Sequence, residues 1–109
     1  MIFNKRTGKI LSQKEKFCYG LFSQLKGLMF SKRKNLVFIF DRERNVSLHN
    51  WFVFFPIDVL FLDKEKRIIE IKIGLRPFEF YFAKKKAKYL VELGEQKSGL
   101  CQIGDILKW

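Results

Sequence analysis

The stretch Ile57-Asp58-Val59-Leu60-Phe61-Leu62, then Asp63-Lys64-Glu65-Lys66, then Arg67-Ile68-Ile69-Glu70-Ile71-Lys72-Ile73 reads as two β-strands and the charged turn between them. The first run is β-branched and aromatic, as a buried strand requires. The last alternates, which places Ile69, Ile71 and Ile73 on one face and Glu70 and Lys72 on the other. Pro56 precedes the first run. Proline cannot donate to a strand ladder, so it marks a strand start or an edge.

Outward from this pair the same grammar continues. Upstream, Val46–Phe55 is rich in strand-forming residues, and Leu36–Phe40 is a continuous apolar run that suits a buried strand. Asp41–Asn45 between them reads as a polar break. Near the N-terminus, Ile2–Lys5 and Lys9–Leu11 flank Arg6-Thr7-Gly8, a small hairpin with Gly8 in the strained turn position. Between Glu15 and Leu28, the residues Phe17, Leu21, Leu25 and Leu28 fall at helical spacing. Gly27 suits the position just past a helix end. We expect a short helix near residues 20–26, preceded by an extended piece.

Downstream, Phe78, Phe80 and Phe82 alternate with Glu79 and Tyr81, and Lys84-Lys85-Lys86 follows as a basic tip. Period two favours placing the three phenylalanines in the core and the lysines on a solvated loop. Ala87–Leu93 is another strand closed by Gly94. Gly99 and Gly104 punctuate a loop before Ile106–Trp109. The expected fold is mostly β (α+β): a small antiparallel, barrel-like sheet of about eight short strands with one short helix.

The totals agree with one domain over residues 1–109. Hydrophobic residues make up 48% of the chain, with 13 Phe, enough for a core that needs no metal or disulfide. The longest apolar runs, such as Trp51–Ile57, fall far short of a membrane span. The start Met1-Ile2-Phe3-Asn4-Lys5-Arg6 has no apolar segment of signal-peptide type. We therefore expect a cytoplasmic protein, no membrane partner, and reduced, core-type Cys18 and Cys101.

Charge is the strongest compositional signal. The formal net is +11, with residues 1–34 at +8, residues 35–63 at −2 and residues 64–109 at +5. Such an excess attracts polyanions, although solubility or a thermophile-type lysine usage produces the same totals. The two basic runs Lys32-Arg33-Lys34 and Lys84-Lys85-Lys86 are the candidate binding residues. Aromatics interleaved with lysines over Phe78–Lys88 are also what single-stranded nucleic acid uses.

Several pieces, in this order and spacing, resemble the domain of unknown function 192 family of bacteria and archaea. They are Gly27-Leu28-Met29-Phe30, Leu36–Phe40, His49-Asn50-Trp51-Phe52 leading into Pro56–Asp63, Tyr89-Leu90-Val91-Glu92-Leu93-Gly94, and Gly104-Asp105. The likeness covers nearly the whole chain, and the N-terminal hairpin with Leu-Lys-Gly-Leu-Met-Phe is most similar to the archaeal branch. The family often carries a Trp-Met-Lys-Asn-Thr type stretch, where this chain has Trp51-Phe52-Val53-Phe54-Phe55. The resemblance implies a small, mostly β domain and no particular activity. Its motif residues here are Gly27, Met29, Trp51, Pro56, Asp58, Glu92, Gly104 and Asp105.

Asp58 sits inside an apolar strand, between Ile57 and Val59, and burying its carboxylate requires donors or a charge partner. We read it as a structural acceptor tying a neighbouring loop. The catalytic alternative is a base with His49, Asp63 or Asp105 as partner. His49 is the only histidine, and with two distant cysteines it makes no recognisable metal set. Nucleophile elbows and phosphate-cradling glycine motifs are absent from the sequence. The expectation is a non-enzymatic module without cofactor that binds a polyanion such as RNA or an acidic protein. The alternative is a small hydrolase-like enzyme using Asp58, with His49, in a cleft.

Overall fold

The computed structural model describes residues 1–19, 35–49, 55–95 and 97–109, with residue 49 described by its backbone alone. Within these residues are ten strands. They are β1 (Ile2–Asn4), β2 (Ile10–Ser12), β3 (Glu15–Tyr19), β4 (Asn35–Arg44), β5 (Ser47–His49), β6 (Ile57–Leu62), β7 (Ile68–Leu75), β8 (Phe80–Phe82), β9 (Ala87–Leu93) and β10 (Leu107–Lys108). A short 3₁₀ turn covers Ser98–Leu100.

The strands form three layers. A five-stranded sheet of order β3-β4-β9-β6-β7 lies in the middle. A three-stranded sheet, β10-β1-β2, covers one face, and the two-stranded ribbon β5-β8 covers part of the other. The alternation of the central strands produces this arrangement. Leu36, Phe38, Val59 and Phe61 enter one apolar cluster with Leu48 of the ribbon. Val37, Leu60, Leu62, Val91 and Leu93 enter a second cluster with Ile2, Leu11 and Leu107. Strand β6 is buried along its whole length because both of its faces are covered.

The fold is mostly β, as the sequence predicts, and barrel-like only loosely. The edge strands β3 and β7 of the central sheet are not paired to each other among the described residues. The antiparallel expectation also needs one correction, because β3 runs parallel to β4. A parallel pair requires a crossover of a dozen or more residues, and residues 20–34 provide that length. The expected helix near 20–26 lies outside the described residues. Phe17, which opened its periodic pattern, sits on strand β3 instead.

Three further expectations change. Asp41–Arg44 is not a break, because β4 continues to Arg44, which pairs with Ala87. Its polar residues report exposure rather than a turn, and Arg44 bridges to Asp41 at 2.7 Å while lying over the Phe40 ring. Ile69, Ile71 and Ile73 do not share a face. Register shifts between β6 and β7 send Ile69 to the ribbon-side cluster and Ile71 to the other, and leave Ile73 67% exposed. Phe78, Phe80 and Phe82 are not core residues. They are 56%, 55% and 70% exposed, and Tyr81 is the residue of β8 that faces inward, its ring 5.8 Å from that of Phe61.

Candidate functional site

Asp58 sits on β6 and is 1% exposed. Its carboxylate gathers two segments distant from it in sequence, strand β7 and the 3₁₀ turn. The Gly74 N–H donates to Oδ1 at 2.8 Å, and Ser98 donates its N–H at 3.1 Å and its hydroxyl at 2.5 Å to Oδ2. Gly74 has φ of +62°, a turn conformation that suits glycine. Both oxygens of Asp58 thus act as acceptors that pin β7 and the 3₁₀ turn onto β6.

His49 ends β5 and pairs with Phe80 of β8, in a different sheet from Asp58. Asp63 caps its own turn, with Oδ1 accepting the N–H groups of Glu65 and Arg67. Gly104 takes φ of +97° in the turn before β10. Asp105, beside it, accepts from Gln102 N–H at 2.9 Å, from Asn4 Nδ2 at 2.7 Å, and from Arg6 at 2.5 and 3.0 Å. The Arg6 guanidinium, working against burial, lowers this carboxyl to about 2, with help from Asn4 and Gln102. Asp105 therefore locks the N-terminal hairpin to the C-terminal strand.

Glu92 of β9 is 9% exposed and lies opposite Leu36 on one side and Val59 on the other. Burial alone pushes its carboxyl up to about 7, with no offsetting partner among the described residues. Pro56 is half-buried immediately before β6, in its expected place. Gly27, Met29, Lys32, Arg33, Lys34 and Trp51 lie outside the described residues. Cys18 is buried and Cys101 half-buried, both as free thiols. Burial raises the Cys101 thiol to about 11, so it is not a ready nucleophile. Among the described residues no three His, Cys, Asp or Glu side chains cluster as metal ligands would. Among the described residues no helix is long and apolar enough to cross a membrane.

The arrangement around β8 has a different character. Glu70, on β7, accepts the Tyr81 hydroxyl and the backbone N–H groups of Lys84, at 2.9 Å, and Lys85, at 3.1 Å. Tyr81 is raised to about 12, first by burial and then by this carboxylate. At the other end of β8, Glu79 accepts Arg76 N–H at 2.8 Å and meets Lys72 Nζ at 3.2 Å. These contacts hold Glu79 below the usual carboxylate range, Arg76 N–H being the main cause. Lys84, Lys85 and Lys86 are exposed on the tip that Glu70 holds. The sequence reading missed Glu70 and Glu79. Their only signal is an acid placed within reach of a segment that must turn, and that reach is set by tertiary pairing.

Fold and side-chain geometry define a small layered β-domain with buried structural carboxylates and a braced, basic, aromatic ribbon. The chain belongs to the family DUF192, described as "Uncharacterized ACR", whose profile matches residues 16–109. It is 36% identical over 115 residues to a UPF0127 protein of Thermococcus sibiricus, covering 100% of this chain and 74% of that one. It is 34% identical over 113 residues to the UPF0127 protein of Pyrococcus furiosus, covering 99% and 97%. The fold is similar to a crystal structure of a protein of unknown function from Novosphingobium aromaticivorans. The TM-score is 0.78 at 19% identity, over 87% of this chain and 74% of that one. A putative transcription regulator from Sinorhizobium meliloti matches with TM-score 0.77 at 20% identity, over 86% and 79%. At these identities the two structures speak for the fold alone.

Proposed function

We propose that this domain is a non-enzymatic binding module whose ligand is a polyanion, RNA, held at the Lys84–Lys86 tip. One observation carries the reading. Glu70 ties the backbone of Lys84 and Lys85 to the body of the domain, so three adjacent lysines project from a braced tip. Bracing matters because an ordered loop loses less conformational entropy on binding. The formal charge of +11 supplies the long-range attraction. The hydrolase-like alternative draws less support, since both oxygens of Asp58 already serve Gly74 and Ser98.

Electrophoretic shift of a short RNA across a salt series tests this. The expected result is binding at low salt that weakens linearly on a logarithmic scale. Replacing Lys84, Lys85 and Lys86 together with Ala should lower that slope by about 2, at roughly 0.7 per phosphate contact on a single strand. No binding at low salt, or binding indifferent to salt, would refute the proposal.

A further inference from the structure

The outward face of the β5-β8 ribbon carries more than charge. Strand alternation turns Leu48 and Tyr81 inward to the apolar cluster. Ser47, Phe80 and Phe82 consequently lie on the opposite, exposed face. Ser47 pairs with Phe82, and position 49 with Phe80. Phe78 precedes them in a turn with φ of +62°, a conformation that costs a bulky side chain energy, and is 56% exposed. Three large rings left on the surface of one short segment are unusual where Tyr81 and Leu48 show that a core was available.

Both ends of β8 are fixed to the same neighbouring strand. Glu70 of β7 grips the chain after β8 through Tyr81, Lys84 and Lys85. Lys72 of β7 grips the chain before it through Glu79, which also closes the turn at Arg76. Lys72 additionally lies over the Tyr81 ring at 5.5 Å. The rings are thus presented on a preorganised strand.

We infer that this ribbon face is a stacking site for single-stranded nucleic acid, with Phe80 and Phe82 contacting bases and Lys84–Lys86 contacting phosphates. The inference rests on the polyanion reading above and specifies the ligand's form. Alternate residues on a strand are about 6.8 Å apart, twice the roughly 3.4 Å rise between stacked bases. One base therefore fits between the positions of two neighbouring rings. A duplex keeps its base faces stacked internally and offers them to no protein ring, whereas a single strand can splay them onto aromatic side chains. The lysine tip begins two residues after Phe82, with only Ala83 between, so a strand stacked on the rings brings its phosphates to the lysines.

Fluorescence anisotropy with a labelled oligouridine, against an RNA duplex of equal length at the same salt, tests the inference. The single strand should bind at least about tenfold more tightly. Phe82→Ala and Phe80→Ala should each weaken it by about tenfold, within the range for one lost base stack, while the salt slope stays unchanged. Phe82→Tyr keeps a ring and should retain affinity, which separates lost stacking from lost folding. Equal binding of duplex and single strand, or Ala variants that bind like the parent, would overturn the stacking inference while salt-dependent binding kept the polyanion reading intact. Absence of binding to either RNA would remove both.

Discussion

Replacing Glu92 with Gln should stabilise the domain at alkaline pH, and the size of the effect follows from where Glu92 lies. Its side chain occupies the row Leu36–Glu92–Val59 on the ribbon-facing side of the central sheet. Removing it from water disfavours the charged form and moves its pKa from 4.5 to about 7. The native protein therefore holds a proton that the unfolded chain has already lost. Between pH 4.5 and 7 the folded state binds more protons, so stability falls as pH rises. The contribution is fully present below about 4.5 and gone above about 7. At 1.36 kcal/mol per tenfold change in acidity, the loss is roughly 3 kcal/mol. Glutamine keeps the shape and a polar head but carries no charge to desolvate. Urea denaturation of both proteins at pH 4, 5.5, 7 and 8.5 would read the effect, and the difference between them isolates position 92. Near pH 4 the two should agree closely. At pH 8.5 the Gln variant should be more stable by up to roughly 3 kcal/mol, or on the order of 10 °C in Tm for a domain of this size. Parallel pH profiles, or a variant less stable at pH 8.5 than at pH 4 relative to the parent, would refute the assignment of Glu92 as an uncompensated buried acid.

Asp105 should show the opposite sign. Its carboxyl is held down to about 2, so its contribution is present above about 4 and fades as pH falls through 2. Asp105→Asn should remove that acid-side dependence, followed by circular dichroism, and cost about 2 kcal/mol at neutral pH through the lost charged hydrogen bonds. Gly104 has φ of +97° with nothing within 4 Å of where a Cβ would stand, so Gly104→Ala should cost about 1 kcal/mol from backbone conformation alone. Chemical denaturation measures it, and a neutral result would mean that the turn relaxes.

Much of the fold was legible. The strand at Ile57–Leu62, its Pro56 start, the charged turn, the N-terminal hairpin with Gly8 at φ of +73° and the run Ala87–Leu93 all stand where side-chain patterning places them. These are local properties: a β-branched run extends, a proline cannot donate, and a glycine tolerates positive φ. Of the site, only the residue types were legible. The basic tip at Lys84–Lys86 was visible as a charge run, and Asp58 as a carboxylate in need of donors.

Period two assigns residues to two faces without saying which face is buried, and here the tertiary structure decided. In the segment Phe78–Phe82 composition favoured burying the phenylalanines. The molecule buries Tyr81 instead, because its ring meets Phe61 while its hydroxyl reaches Glu70. The donors to Asp58 come from Gly74 and Ser98, the partners of Asp105 from Asn4 and Arg6, and the isolation of Glu92 from its place between Leu36 and Val59. The sequence alone determined that this chain folds as short strands around a large apolar core and carries a strong positive charge. The packing of distant strands determined which carboxylates accept hydrogen bonds, that Glu92 is shifted by burial alone, and which aromatic rings face the solvent. Those outcomes depend on contacts between residues far apart in the chain, and no local pattern encodes them.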